Sequence, residues 1–395
     1  MVVFTKKPDG GLLSNKPPKD PPDAGICRHE LTFSDGKVIY RSFPRPDRIA
    51  IQGYLLDDHF KGSLGGSSEF DRAWAMVQSL ADAVGNGEGA GKHTNPHFSK
   101  LAELKMPLGP REAIVHLTIT KEQKKGEPLA FLLRLEFNPR KLQQAGVGQL
   151  IWVFDMVSPP FDFGRFLADA KVTRFDVAVD FVGISPADLM GTAKNEGKRV
   201  EYFGADGVLE GFTLFRKRKQ PSTPKKTITN PLGRVALKVY DRNRERAAHA
   251  KPPPIDGCQV TRAEVVRTGL KQPFGLTDML TDLSFKDVEL SYAAGCAPYL
   301  NPARWQMYLA CRRSLGHAAA AKLLALNAKE SARVTAAFSK HEGNLLQGVD
   351  LSDWQLGIQE TGLDELVKLA QEAAITTSLT LGSVGAKITA SAAST

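Results

Sequence analysis

The chain has 395 residues, 42% of them hydrophobic, enough for a substantial core and for more than one domain. A net charge of +9 and a pI of about 9.2 favour polyanionic partners, nucleic acid before others. The four cysteines are scattered with no CxxC pair, which excludes a disulfide framework, and no apolar run has membrane-spanning length, so the expectation is a cytoplasmic chain with no membrane partner.

Residues 1–24 are rich in Pro, Lys and Asp and read as a disordered tail. From Cys27 to Tyr54 the text alternates (HELTF, KVIYRSF, RIAIQGYL) as short strands do. Phe70 to Val84 has helical periodicity and runs into the glycine-rich GNGEGAGKHT. GAGKHT imitates a phosphate-binding loop, but Asn86 stands where the first glycine is needed and His93 where Ser or Thr is needed. His93 and His97 have ligand-like spacing without a third ligand, and His116 stands alone on its strand.

Strand-like text dominates from Ala113 to Gly269: AIVHLTIT, LAFLLRLEF, LIWVFDMV, TRFDVAVDF, RVALKVYDR and QVTRAEVVRT. FGRFLADA and SPADLMGTAK read as short helices between them. Strands and helices do not alternate steadily, so an antiparallel α+β fold is expected rather than a doubly wound parallel sheet. After about residue 275, LTDML, PARWQMYLACRRSL, HAAAAKLLALNAKESARVTAAF and SDWQLGIQETGLDELVKLAQEAA read as helices, with Ser352 and Asp353 as caps of the last. Residues 377–395 read as a flexible tail. The expected organisation is a tail (1–24), an α+β domain (25–272), a helical C-terminal region (273–376) and a second tail.

Side chains alternate across a strand. In TRFDVAVDF, Arg174, Asp176, Ala178 and Asp180 therefore share one face, opposite Phe175, Val177, Val179 and Phe181. In RVALKVYDR, Lys238, Tyr240 and Arg242 lie opposite Val235, Leu237 and Val239; in TRAEVVR, Arg262 and Glu264 lie opposite Ala263 and Val265. LLRLEF repeats the device with Arg134 and Glu136. Gathered in one sheet, Asp176, Asp180 and Glu264 would offer the hard oxygen ligands that suit Mg²⁺ or Mn²⁺, and Tyr240 would offer a nucleophile. The ordinary alternative is a set of cross-strand ion pairs worth about 0.2–1 kcal/mol each.

From Gly211 through Tyr240 there is no acidic residue. Arg216, Lys217, Arg218, Lys219, Lys225 and Lys226 form a basic stretch leading into the tyrosine strand, suited to a DNA backbone together with Arg174, Lys238, Arg242 and Arg262. A solvated lysine-rich loop has the same composition.

TRFDVAVDF, VYDRNRER and TRAEVVRTG, in that order, resemble the replication initiation factors of rolling-circle plasmids and filamentous phages, of the Rep_trans type. LRLEFNPRKL resembles the first half of that family, and the likeness spans roughly residues 110–340. It implies a pair of antiparallel sheets with flanking helices; the Arg-x-Glu repeated at Glu136 and Glu264 points to duplicated halves, with no obvious tyrosine strand in the first, and the text after residue 275 adds an α-helical C-terminal region. It implies a DNA nicking–joining enzyme that starts rolling-circle replication through a 5′-phosphotyrosine intermediate, with Tyr240 as nucleophile and Asp176, Glu264 and Asp180 as ligands of Mg²⁺ or Mn²⁺. The partners that go with it are origin DNA, as supercoiled duplex and as single strand, a host helicase and a second copy of the chain. The chain departs from the family in having Arg242 where lysine is common; arginine keeps the charge but cannot transfer a proton. A DNA-binding regulator on the same scaffold, and a metal-dependent nuclease that uses water, are the alternatives.

Overall fold

In the computed structural model the described residues are 3–6, 29–33, 36–60, 69–83, 92–93, 100–108, 113–123, 129–157, 160–216, 234–268, 274–281, 285, 287–292, 300–340, 345–346 and 349–376. The fold is α+β with antiparallel sheets and C-terminal helices. The chain divides into two compact units, each drawn from three chain segments: 1–45, 176–268 and 283–354 in the first, 46–175, 269–282 and 355–395 in the second.

In the first unit the strands Glu196–Phe203, Leu209–Arg216, Arg234–Asp241 and Val260–Thr268 are hydrogen-bonded in that order, and the second half of Lys171–Val182 follows. The ladder pairs Gly211 with Tyr240 and Tyr240 with Arg262, then Thr213 with Lys238 and Lys238 with Glu264. Directly opposed residues point to the same face, so this register alone puts Tyr240, Arg262, Lys238 and Glu264 side by side. The other face is apolar: Val179, Phe181, Phe212, Leu214, Leu237, Val239, Ala263 and Val265 belong to one buried cluster. A one-residue slip would send the charged row into that core, which fixes the register.

The helix Pro302–Leu323 buttresses this unit. Asn301 caps it by accepting from the Arg304 amide, and Trp305, Tyr308, Leu309 and Ala320 are buried in a cluster with Met190 and Val334. From the same helix Arg312, fully buried, donates to the Ala187 carbonyl at 2.6 Å and to the Leu189 carbonyl. Burial lowers its pKa to about 10.

In the second unit Ala130–Phe137 pairs antiparallel with Arg45–Tyr54 on one side and with Ala113–Glu122 on the other; Lys100–Leu108 and Lys92–His93 complete the order. Ile49, Ile51, Val115, Leu117, Ile119, Leu133, Leu135 and Phe137 are buried, as are Val77 and Leu80 of Glu69–Ala83 and Leu150 and Phe154 of Pro139–Asp155. The two sheets repeat one plan: the first strand of each joins the last, and the rest descend in sequence. The registers repeat as well. Thr118 faces Arg134 and His116 faces Glu136, as Tyr240 faces Arg262 and Lys238 faces Glu264.

Several elements depart from the expectations. LIWVFDMV lies largely within the helix Pro139–Asp155, after a break at Gln143 (φ +54°); a continuous apolar run is ambiguous between strand and helix. SPADLMGTAK is a single 3₁₀ turn, Pro186–Asp188, leading into the strand Leu189–Ala193, which pairs with Val288–Tyr292. LTDML is likewise only a 3₁₀ turn. Within the expected N-terminal tail, Val3–Lys6 is a strand paired with His29–Thr32, in keeping with its β-branched and aromatic text. The helix Leu351–Glu360 is capped by Asp350, which accepts from the Asp353 amide at 2.8 Å, rather than by Ser352 or Asp353. Residues 7–28 and 377–395 lie outside the described residues.

Gly362 separates Leu351–Glu360 from the helix 363–376 at a φ of +71°, where a Cβ would stand 2.5 Å from the Gln144 Cα. Gly362→Ala is expected to destabilise the chain by about 1–3 kcal/mol through the strained φ and the backbone clash. A urea titration should show a lower midpoint with an unchanged slope; an unchanged midpoint would contradict the packing described.

Candidate active site

The site is built on the polar face of the first unit's sheet. Arg262 donates from Nε to Asp180 Oδ1 and from Nη2 to Asp180 Oδ2, each at 2.7 Å. Arg45 Nη2 lies 3.2 Å from the same Oδ2. The three side chains are almost wholly inaccessible, with 2%, 2% and 5% exposure for Arg262, Asp180 and Arg45. The Asp180 backbone is also held: its amide donates to Ser42 Oγ at 2.9 Å, and its carbonyl accepts from the Ser42 amide at 2.9 Å. A buried bidentate guanidinium–carboxylate pair fixes both planes.

Beside this clamp the Tyr240 hydroxyl donates to Glu264 Oε1 at 2.6 Å, and Lys238 Nζ lies 3.3 Å from Glu264 Oε2. Burial raises the Tyr240 phenol far above its ordinary range, the Glu264 charge and hydrogen bond push the same way, and the charges of Arg262 and Arg242 oppose them. Tyr240 is thus a protonated phenol at neutral pH, with a carboxylate in place to take its proton.

Gly211 occupies the ladder position next to Tyr240. A Cβ there would stand 2.5 Å from the Val239 carbonyl oxygen and 3.1 Å from the Tyr240 Cα, so only glycine lets these strands approach this closely. It also leaves a bare floor between Tyr240 and Tyr202, which is paired with Gly211 from the other side and is 49% exposed. Tyr292, by contrast, is buried against Phe33.

The expected site residues fall into five groups. Tyr240, Glu264, Lys238, Arg262 and Asp180 are brought together. Asp176 is buried on the strand that carries Asp180. The polar face read from strand alternation is not open to solvent here: every residue from Phe175 to Val182 is buried, because the strand is covered on both faces. Arg242 opens the short helix Arg242–Ala248 and pairs with Glu245 at 3.0 Å, while Arg216 pairs with Asp287 at 3.4 Å. Arg174 belongs to the second unit, 3.4 Å from Glu136. Lys217, Arg218, Lys219, Lys225 and Lys226 lie outside the described residues.

The donor set does not fit a divalent cation in this arrangement. Both oxygens of Asp180 are bonded to guanidiniums, and those of Glu264 are engaged by Tyr240 and Lys238. Among the described residues no group of three or more His, Cys, Asp or Glu could hold a metal ion. Arg45, Ser42 and Gly211 were not foreseen. The glycine inside an apolar strand was the only signal among them; the other two act through burial and pairing that the local text does not encode.

Neither protein-family models nor curated proteins give a match to this chain. Function therefore rests on the geometry. Among the described residues no helix is long and apolar enough to cross a membrane.

Asp180→Ala would leave Arg262 and Arg45 charged, buried and without their carboxylate. The expected cost is about 3–5 kcal/mol in chemical denaturation. A loss below about 1 kcal/mol would show that the clamp does not organise this face.

Proposed function

We propose that the chain is a DNA strand-nicking and strand-joining enzyme with Tyr240 as nucleophile, acting at a replication origin in rolling-circle fashion. The observation that carries this reading is the 2.6 Å hydrogen bond from the half-buried Tyr240 hydroxyl to Glu264, framed by Lys238 and Arg262. A tyrosine hydroxyl withdrawn from water takes an acceptor in any case; here the acceptor is a carboxylate, which can also take the proton, and a carboxylate facing a polyanion is unfavourable unless it does chemistry or is neutralised.

In the proposed reaction the phenolic oxygen attacks a backbone phosphorus while Glu264 takes the phenolic proton. A phosphotyrosine bond forms at the 5′ phosphate, the bond from phosphorus to the 3′ oxygen breaks, and that oxygen leaves as a 3′-hydroxyl on receiving the proton that Glu264 took. The reverse sequence rejoins the strand. Lys238 supplies positive charge for the phosphate oxygens in the transition state, while Arg262, buried against Asp180, fixes the ladder position beside Tyr240. Asp180 serves by holding Arg262 in place. The resemblance to replication initiation factors supports a role for Mg²⁺ or Mn²⁺, but the side chains as they stand do not assemble its ligands, and no step is assigned to it.

The test is incubation of the full chain with Mg²⁺ and a supercoiled plasmid bearing its origin, followed by denaturing gels. Wild type should nick the plasmid and carry a covalent DNA adduct. Tyr240→Phe should abolish the adduct, and Glu264→Gln should lower its rate by about 100-fold or more, the scale of general-base catalysis. Nicking by Tyr240→Phe without an adduct would favour hydrolysis by water. DNA binding by wild type with no cleavage at all would favour the regulator.

A further inference from the structure

The strand Glu196–Phe203 carries a second tyrosine on the face of the candidate active site. Tyr202 pairs with Gly211, Gly211 with Tyr240 and Tyr240 with Arg262, so the four lie in one row across the ladder. Directly opposed residues share a face, and two inter-strand steps of about 4.8 Å each separate the tyrosines. Gly211 between them has no side chain to fill the gap.

The two phenols are set up differently. Tyr240 donates to the carboxylate of Glu264, whereas Tyr202 donates to the Thr213 hydroxyl at 3.4 Å. Thr213 lies two residues beyond Gly211 on the neighbouring strand, so the Tyr202 ring leans across the sheet. Its tip is engaged while the residue as a whole is 49% exposed. What Tyr202 offers to a ligand is therefore the face of its ring and not a hydroxyl activated by a base. An exposed aromatic face on a sheet stacks nucleobases of any sequence, because every base has a π-face.

The hairpin that bears Tyr202 is tied to the segment that bears Tyr240. Arg244, in the helix that follows Tyr240, donates from Nη2 to Asp206 Oδ2 at 2.6 Å and from Nη1 to Glu210. Asp206 lies in the turn of the hairpin, and Glu210 is the extra residue of a bulge between the pairs Tyr202–Gly211 and Phe203–Leu209. A bulge bends its strand and re-aims the side chains beside it. Here the bend falls at Tyr202, and Arg244 fixes it relative to Tyr240.

We infer that Tyr202 is the stacking residue of the site: its ring takes the face of a nucleobase of single-stranded DNA next to the phosphate that Tyr240 attacks, with the sugar passing over Gly211. The place beside the attacked phosphate rests on the nicking reading; the stacking of a base on this ring does not.

The test is fluorescence anisotropy of two labelled 20-nucleotide strands, an oligothymidylate and an abasic strand of equal length, with the full chain in a Tyr240→Phe background so that cleavage plays no part. Tyr202→Ala should weaken binding of the oligothymidylate about fivefold or more and leave the abasic strand unchanged. Tyr202→Phe, which keeps the ring and loses the bond to Thr213, should bind both strands as its parent does. Damage to the fold would weaken both strands alike. No binding of the oligothymidylate by the parent, no loss in Tyr202→Ala, an equal loss on both strands, or Tyr202→Phe as weak as Tyr202→Ala would overturn the inference. A failed adduct assay beside the base-dependent loss would count against the nicking chemistry alone.

Discussion

The buried pair between Arg262 and Asp180 is the constraint on which the first unit's site depends. An arginine at 2% exposure cannot stay charged there without a partner, and Asp180 meets it in bidentate geometry with Arg45 as a second cation. The pair ties the strand Val260–Thr268 to the strand that carries Asp180, and Ser42 grips the Asp180 backbone from a third segment. Once Arg262 is fixed, the ladder register sets Tyr240 opposite it and Glu264 two residues on, opposite Lys238. The interaction is electrostatic, but its consequence is geometric: a phenol and a carboxylate held at 2.6 Å in a half-buried setting.

That setting has a cost for the nucleophile. Burial and the neighbouring carboxylate favour the neutral phenol, so reactivity cannot come from a standing phenolate. In the proposed reaction it comes from a base already bonded to the proton and from Lys238 at the phosphate. The apolar cluster beneath the sheet supplies the rigidity this requires, and in the same unit the buried Arg312 fastens the helix Pro302–Leu323 to the backbone of Ala187 and Leu189.

Much of this was legible in the text. Strand alternation alone placed Lys238 with Tyr240 and Arg262 with Glu264, and the repeated Arg-x-Glu pointed to the second ladder, because a period of two is a local property. What sequence could not give was the depth of the strand 171–182. Its Asp-containing side shows as a polar face in the alternation, yet both sides are covered, and Asp180 is consumed by arginines, one of them far away in sequence at Arg45. LIWVFDMV misled because a short apolar run carries no period. The two units, each assembled from three chain segments, follow from tertiary contacts that composition does not report. The second ladder also became meaningful only with its register: Thr118 in the tyrosine position turns a repeated motif into a repeat without the nucleophile.

The central claim is that Tyr240 itself becomes joined to DNA. Mass spectrometry of the trypsinised product after reaction with origin-bearing single-stranded DNA tests it most directly. The account predicts a nucleotide phosphate on the peptide Val239–Arg242, which contains Tyr240 as its one tyrosine. A covalent nucleotide on the peptide bearing Tyr202, or cleaved DNA with no modified tyrosine, would contradict it.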